Sequence, residues 1–356
     1  MGDEQRTGFG RPRTRGRAPT VTQRRFGRLR ACARRGAPIL APVFASCADS
    51  PSVLRAAGPA AERIASLWWM LLALGAAIYL IFAGLTACAL FRRRRPAENE
   101  RSEGESMRWI LIGGALIPAM IVAGIFTLTL GTLRALAPPA EPANTVIEVN
   151  GKRWWWEVRY LGADGQPLAL TANEIHIPAG ESVELRLQSD NVIHSFWVPQ
   201  LHGKLDLVPG KTNVLRLQAD RPGIYRGQCA EYCGVQHTLM AFLVIAEARP
   251  EFDAWLAQQR TPAPETLLLR GRAAFEHHCG SCHTVRGTRA AGADGPDLTH
   301  LAGRRTIAAA TLPNTRANLS GWIIQAQSIK PGSLMPNVPL EPDELQDIVD
   351  YLMALR

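Results

Sequence analysis

Cysteine is scarce in this chain, with seven residues in 356. That is too few, and too unevenly placed, for the disulfide framework that staples a small secreted scaffold. Four of the seven form two tight pairs, Cys229 with Cys233 and Cys279 with Cys282, which leaves Cys32, Cys47 and Cys88. Cys88 lies in an apolar run and reads as an inert buried thiol. Charge is short as well, at 20% of residues. The formal excess of +9 is matched by residues 1–46 alone, which hold eleven arginines against Asp3 and Glu4. The remainder has no net charge, which excludes a basic nucleic-acid-binding face. In residues 67–91 and 109–133 charged side chains are missing altogether.

Those two runs are long enough to matter. At about 1.5 Å per residue each gives a helix of roughly 37 Å, against a bilayer hydrocarbon core of about 30 Å. Both read as membrane spans, and Pro118 is expected to kink the second. Trp68, Trp69 and Trp109 stand at their ends, where indoles favour the interface. Between the spans lie Arg92, Arg93, Arg94, Arg95, Arg101 and Arg108, which places that loop in the cytoplasm and both flanks outside. Residues 1–46 read as a basic leader or signal region, with Phe44, Ala45 and Ser46 before Cys47 in the manner of a lipoprotein signal. Residues 47–136 then form a transmembrane hairpin.

After a Pro/Ala stretch the periodicity changes to two. Seven short strands, near residues 146–150, 154–160, 174–178, 183–188, 212–217, 223–228 and 241–245, are separated by turn signals such as Pro209-Gly210 and Pro222-Gly223. Residues 137–246 therefore read as an antiparallel sandwich or barrel. Residues 249–261 form a short helix within a linker at 247–266, and residues 267–356 are helical in pattern, including an apolar face at Leu345, Ile348, Val349 and Leu352.

Two motifs carry chemistry. Cys229, Cys233, His237 and Met240 place two thiols, an imidazole and a thioether in one short stretch. Such donors select soft metals; calcium or magnesium would call for oxygen ligands. His194, just after an alternating strand, is the best supplier of a further imidazole. A zinc knot shares the Cys-x3-Cys-x3-His spacing and stays open at this point. The second motif, Cys279-Gly280-Ser281-Cys282-His283, is the c-type haem attachment signature, with a redox Cys-x-x-Cys as its alternative. The two thiols add to the haem vinyl groups, and His283 approaches the iron from one side. Met335, in Lys330-Pro331-Gly332-Ser333-Leu334-Met335-Pro336, is the expected opposite ligand, since a thioether raises the haem potential. His277, His278 and His300 compete for that place.

The stretch from Cys229 to Met240 resembles the binuclear copper (CuA) loop of cytochrome c oxidase subunit II, whose Cys-x-Glu-x-Cys-x3-His-x2-Met pattern it matches at every position. With the strands, the aromatic run and the spans, the resemblance covers about residues 47 to 246. It implies a cupredoxin-like barrel in which two coppers share the Cys229 and Cys233 thiolates. His194 and His237 would cap one copper each, with Met240 and the Glu231 carbonyl as weak axial ligands. It also implies a magnesium ion at the interface with subunit I, reached by the Glu231 carboxylate, and a facing segment containing Lys204 and Asp206. Trp154, first of the run Trp154-Trp155-Trp156, matches the tryptophan through which electrons come in. The loop around Met335 resembles that of class I cytochromes c.

The expected molecule is thus multidomain: a two-helix transmembrane hairpin, an all-β cupredoxin-like barrel and an all-α cytochrome c domain at 267–356. The resemblance implies subunit II of a respiratory haem-copper oxidase in a bacterial inner membrane, with copper and haem domains on the periplasmic face. Its partners would be subunits I and III, its donor cytochrome c or a cytochrome bc complex, and its task to pass electrons onward for oxygen reduction. One departure is visible. Such oxidases often carry a carboxylate at the cytoplasmic start of the second span, where this chain is apolar near Leu111, so no proton path is assigned. A quinol oxidase subunit would lack the copper donors. A membrane-anchored electron carrier, a copper-delivery protein and a nitric oxide reductase subunit are the other readings.

Overall fold

The computed structural model of the protein describes residues 51–92, 103–138, 141 and 143–356. The basic leader at 1–46, Cys47, and the interhelical arginines 93–95 and 101 lie outside the described residues.

Two helices run through the apolar segments. α1 spans Pro59–Phe91, starting ahead of the apolar run because Pro59 suits a first helical turn, where no backbone N–H is needed. The second is continuous from α2 (Glu103–Leu111) through a π-helical turn at Ile112–Leu116 into α3 (Ile117–Leu136). The expected kink at Pro118 therefore takes the form of a widened turn on its N-terminal side, where the missing proline N–H breaks the i→i−4 ladder. The 33-residue segments Pro59–Phe91 and Gly104–Leu136 are each long and apolar enough to cross a membrane. Side chains such as Phe82, Leu90, Trp109 and Phe126 point outward unburied, as lipid-facing residues do. Arg63 Nη1 donates to the Ala135 carbonyl at 3.0 Å and ties the start of α1 to the end of α3. The chain entering α1 is also stitched to the segment around Gln200, Ala57 N donating to Gln200 O at 2.7 Å and Ala61 N to Leu201 O at 3.2 Å.

Ten strands make up the next region: β1 (Val146–Lys152), β2 (Trp155–Leu161), β3 (Pro167–Ala172), β4 (Glu174–Pro178), β5 (Val183–Ser189), β6 (His194–Trp197), β7 (Leu205–Leu207), β8 (Asn213–Leu217), β9 (Gly223–Cys229) and β10 (Ala241–Glu247). They form two five-stranded sheets, ordered β3-β2-β1-β5-β8 and β4-β10-β9-β6-β7. Seven strands were legible from periodicity. β3, β6 and β7 were not, and β6 and β7 hold only four and three residues, too few for alternation to register. The sheets are also mixed: β1 pairs parallel with β5, and β10 with β4. Parallel neighbours need a crossover, which the intervening strands supply here. The core between the sheets is aromatic, with the Phe196 and Phe242 rings stacked at 4.6 Å and Trp156 edge-on to Phe242 at 5.0 Å.

α4 (Arg249–Gln259) packs Phe252 and Trp255 back on this barrel around Tyr160. Beyond it come α5 (Leu269–His278), a two-residue pair β11 (Thr306–Ile307) with β12 (Leu312–Pro313), α6 (Arg316–Ile329) and α7 (Pro342–Ala354). Their separate core joins Phe275, Leu319, Ile323, Ile348, Val349 and Leu352. The apolar face read on α7 is the buried one, except that Leu345 stays partly exposed at the edge.

Gly227 lies beneath the Phe242 ring, where a Cβ would come within 2.3 Å of ring carbons. Gly227→Ala should therefore overpack the barrel core and cost about 1–3 kcal/mol, seen as a lower unfolding midpoint of the detergent-solubilised protein. An unchanged midpoint would mean the ring has room to yield.

Candidate functional sites

The loop joining β9 to β10 is closed at its base by Cys229 N donating to Met240 O at 2.9 Å. β6 pairs with β9 so that Phe196 opposes Cys229, which brings His194, two residues earlier on the same face, over the loop. The donors then gather. Cys229 Sγ and Cys233 Sγ are 3.8 Å apart, His194 Nδ1 is 3.8 Å from the first sulfur and His237 Nδ1 3.6 Å from the second. The Glu231 carbonyl lies 3.2 Å from Cys229 Sγ, and Met240 Sδ 3.9 Å from Cys233 Sγ. The set is symmetric: two sulfurs at the centre, each with one imidazole and one weaker donor. His194, Cys229, Cys233 and Met240 are buried.

Burying two thiols side by side forces them apart in acidity. Hydrogen bonding from Cys233 holds the Cys229 thiol down to about 3, with His194 assisting, while the neighbouring thiolate and burial hold Cys233 well above the ordinary thiol range. A soft cation held by these donors would require both thiols in their deprotonated form.

Several contacts around the site could not be read from residue spacing. Asn191 Oδ1 sits 3.1 Å from His194 Nε2 and sets the ring so that Nδ1 faces the sulfur. Trp154, in the turn between β1 and β2, donates from Nε1 to the Cys233 carbonyl at 3.0 Å. Gly234 below it has φ 119 and would place a Cβ 2.9 Å from the indole, so the loop passes there only as glycine. β2 starts at Trp155, so Trp154 precedes the strand in which alternation had placed it, while Trp156 is fully buried. His176 stacks on Trp255 at 3.9 Å and meets Glu247 at 2.9 Å. His202 turns Nδ1 to the Gly203 carbonyl, and burial lowers its basicity. Lys204 is exposed and Asp206 half-buried on β7.

In the C-terminal helices a mostly apolar cleft is lined by Cys279, Cys282, His283 and Met335. His283 Nδ1 meets the Pro296 carbonyl at 2.9 Å, which leaves Nε2 free. Burial lowers the basicity of His283, keeping it neutral and able to coordinate. The Met335 carbonyl accepts from Gln327 Nε2 at 2.6 Å, which pins its loop. Of the competing histidines, His277 is exposed, and His300 has both ring nitrogens against carbonyls, Thr261 O at 3.0 Å and Arg356 O at 2.8 Å. His278 lines the cleft but also lies 3.5 Å from Glu344.

Residues 163–247 match the family described as cytochrome C oxidase subunit II, periplasmic domain, and residues 268–356 match cytochrome c. Cytochrome c oxidase subunit 2 of Alkalihalophilus pseudofirmus is 38% identical over 281 residues, which is 74% of this chain and 78% of that protein. This chain belongs to the cytochrome c oxidase subunit 2 family. The corresponding protein of Bacillus sp. (strain PS3) is 30% identical over 289 residues, 75% of this chain and 80% of the relative. The crystal structure of the periplasmic domain of subunit II of cytochrome oxidase of Bradyrhizobium japonicum aligns at 27% identity over 34% of this chain and 97% of that one, with a TM-score of 0.30.

As a cytochrome c oxidase subunit 2, the chain is a membrane-anchored protein with a periplasmic domain, works with partner subunits, and combines a copper centre in the barrel with a haem in the fused cytochrome c domain. The residues fit those groups. The buried thiol, imidazole and thioether set is a soft-metal donor set, and the cleft joins a Cys-x-x-Cys-His helix end to a free Nε2. Asn191→Ala should leave the barrel folded and weaken copper binding by about 10- to 100-fold, read by competitive copper titration. Unchanged affinity would show that the His194 ring is held by packing alone.

Proposed function

We propose that the chain is the electron-receiving subunit II of a respiratory haem-copper cytochrome c oxidase. It takes electrons from cytochrome c or a cytochrome bc complex at its haem c domain, passes them through the copper domain, and delivers them to subunit I, where oxygen is reduced to water with proton translocation. The observation that carries this reading is the symmetric donor set around two sulfurs 3.8 Å apart. A structural zinc site is closed by four donors such as two thiolates and two imidazoles, whereas this set adds the Met240 thioether and the Glu231 carbonyl beside the sulfurs, and a thioether is a donor that suits copper.

In this reading Cys229, Cys233, His194 and His237, with Met240 and the Glu231 carbonyl as weaker donors, would hold the two coppers. Cys279 and Cys282 would hold the haem covalently, and His283 and Met335 would be its iron ligands. When bound, the copper pair and the haem supply one-electron redox chemistry. The protein's own work is to keep those donors fixed and dry, so that little has to move when charge changes. Trp154 is the entrance to the copper loop, joined to it by the bond from its Nε1 to the Cys233 carbonyl. The Glu231 carboxylate would hold a magnesium ion at the interface with subunit I. Subunit III completes the complex. The arginine-rich loop between the spans faces the cytoplasm of a bacterial cell, so the copper and haem domains stand outside the inner membrane.

The intact complex should contain two coppers in this subunit and one covalent haem, measured by metal analysis and haem staining after denaturation. Zinc in place of copper would overturn the binuclear assignment. Purification without a haem-copper subunit I would leave a membrane-anchored carrier or copper-delivery protein. Met335→Ala should abolish the sulfur-to-iron charge-transfer absorption of the oxidised haem and lower its potential; a retained band would place the ligand elsewhere.

A further inference from the structure

The helical C-terminal region and the barrel meet through groups that a loose tether would not require. Lys330, only 3% exposed, comes from the loop that also carries Met335. Its Nζ donates to Leu239 O at 2.9 Å, Trp154 O at 3.1 Å and Ala308 O at 3.3 Å. The three ammonium protons are thus all used, two of them on barrel carbonyls that adjoin the copper donors. Glu174, at the start of β4 and 2% exposed, makes the reverse contact. Its Oε1 accepts from Arg305 N at 2.8 Å, Thr306 N at 2.9 Å and Thr306 Oγ1 at 3.0 Å. Each side therefore buries one charged group in the polar backbone of the other, which is tolerable only when every bond is made.

Between these two points the chain is strained. Ala308, Ala309 and Ala310 have φ of 54, 57 and 55, three successive alanines in the left-handed region. L-residues adopt that conformation singly, and at a cost. All three carbonyls are engaged: Ala308 O by Lys330, Ala309 O by Ala241 N at 3.2 Å, and Ala310 O by Arg226 Nη1 at 3.2 Å. Ala310 also packs on the outward face of β10, against Ala241, Leu243 and Ile245. In consequence the haem cleft is not walled by its own helices alone, because Arg153, Trp154 and Trp155 of the barrel line it too.

We propose that Lys330 and Glu174 are positioning residues that clamp the haem domain onto the barrel as a fixed dock, so that Trp154 serves the fused haem cleft and is closed to a soluble donor. External donors then reach this protein only through the haem domain. The inference rests on the functional reading above in taking haem-to-copper transfer as the step being positioned.

The test uses the detergent-solubilised, cofactor-loaded full chain, with Lys330→Met and Glu174→Gln compared after copper and haem contents are measured. Amide hydrogen exchange should show Ala241, Arg305 and Thr306 protected in the wild type, and faster by about tenfold or more in each variant. After flash reduction of the haem by a photosensitiser, one electron moves to the copper pair with no bond or proton transferred. In the wild type that rate should be insensitive to added glycerol. In the variants it should fall by about tenfold or more and become viscosity-dependent, because the domain must find its place before each transfer. Fast exchange at these amides in the wild type, a viscosity-dependent wild-type rate, or variants unchanged in both measurements would overturn the clamp. The wild-type measurements decide the matter alone if a variant fails to take up its cofactors. A wild type with both cofactors and protected amides that passes no electron from haem to copper overturns the functional reading, and with it the role given to Trp154, while leaving the dock itself standing.

Discussion

Two sulfurs held 3.8 Å apart in a buried loop are the constraint that the rest of the structure answers to. Left to themselves, neighbouring thiolates repel and buried charge is penalised, so the loop has to be held from outside. The barrel does this at every side. The bond from Cys229 N to Met240 O shuts the base of the loop, the pairing of β6 with β9 brings His194 over it, and Trp154 Nε1 holds the Cys233 carbonyl from above. The aromatic core of Trp156, Phe196 and Phe242 makes that support stiff, because close-packed rings leave no easy way to move a strand end.

The same logic extends past the barrel. Trp154 is at once a partner of the copper loop, a wall of the haem cleft and, through its carbonyl, a seat for Lys330. Three jobs meet in one turn residue, so the loop, the cleft and the contact between them are one mechanical unit. The membrane helices join it as well, since the start of α1 is hydrogen-bonded to Gln200 and Leu201 on the segment that carries Lys204. For the electron transfer proposed above, such continuity would keep distances constant, which is what small reorganisation requires.

Much of this was legible in the chain. The two spans, the change to a period of two, and the helical C-terminal region each rest on local patterns, which report burial directly. The short strands β6 and β7 escaped because three or four residues carry no period, and the parallel pairing of β1 with β5 and β4 with β10 escaped because alternation is identical in both senses. Lys330 read only as part of a haem-binding loop, and Glu174 as the first residue of a strand. Neither spacing nor composition marks a charge that will be buried by a partner more than a hundred residues away.

The sequence by itself determined the donor chemistry: which atoms can bind a soft metal, which pair can hold a haem, and which segments suit a bilayer. Those properties follow from residue type and from spacing within one loop or one helix, where the chain's own short reach guarantees proximity. Tertiary structure decided the rest. His194 reaches Cys229 across 35 residues, Asn191 turns its ring, and Lys330 joins the Met335 loop to the carbonyls of Trp154 and Leu239. These depend on strand register and on how separate cores are set against each other, and only packing, summed over the whole chain, settles that.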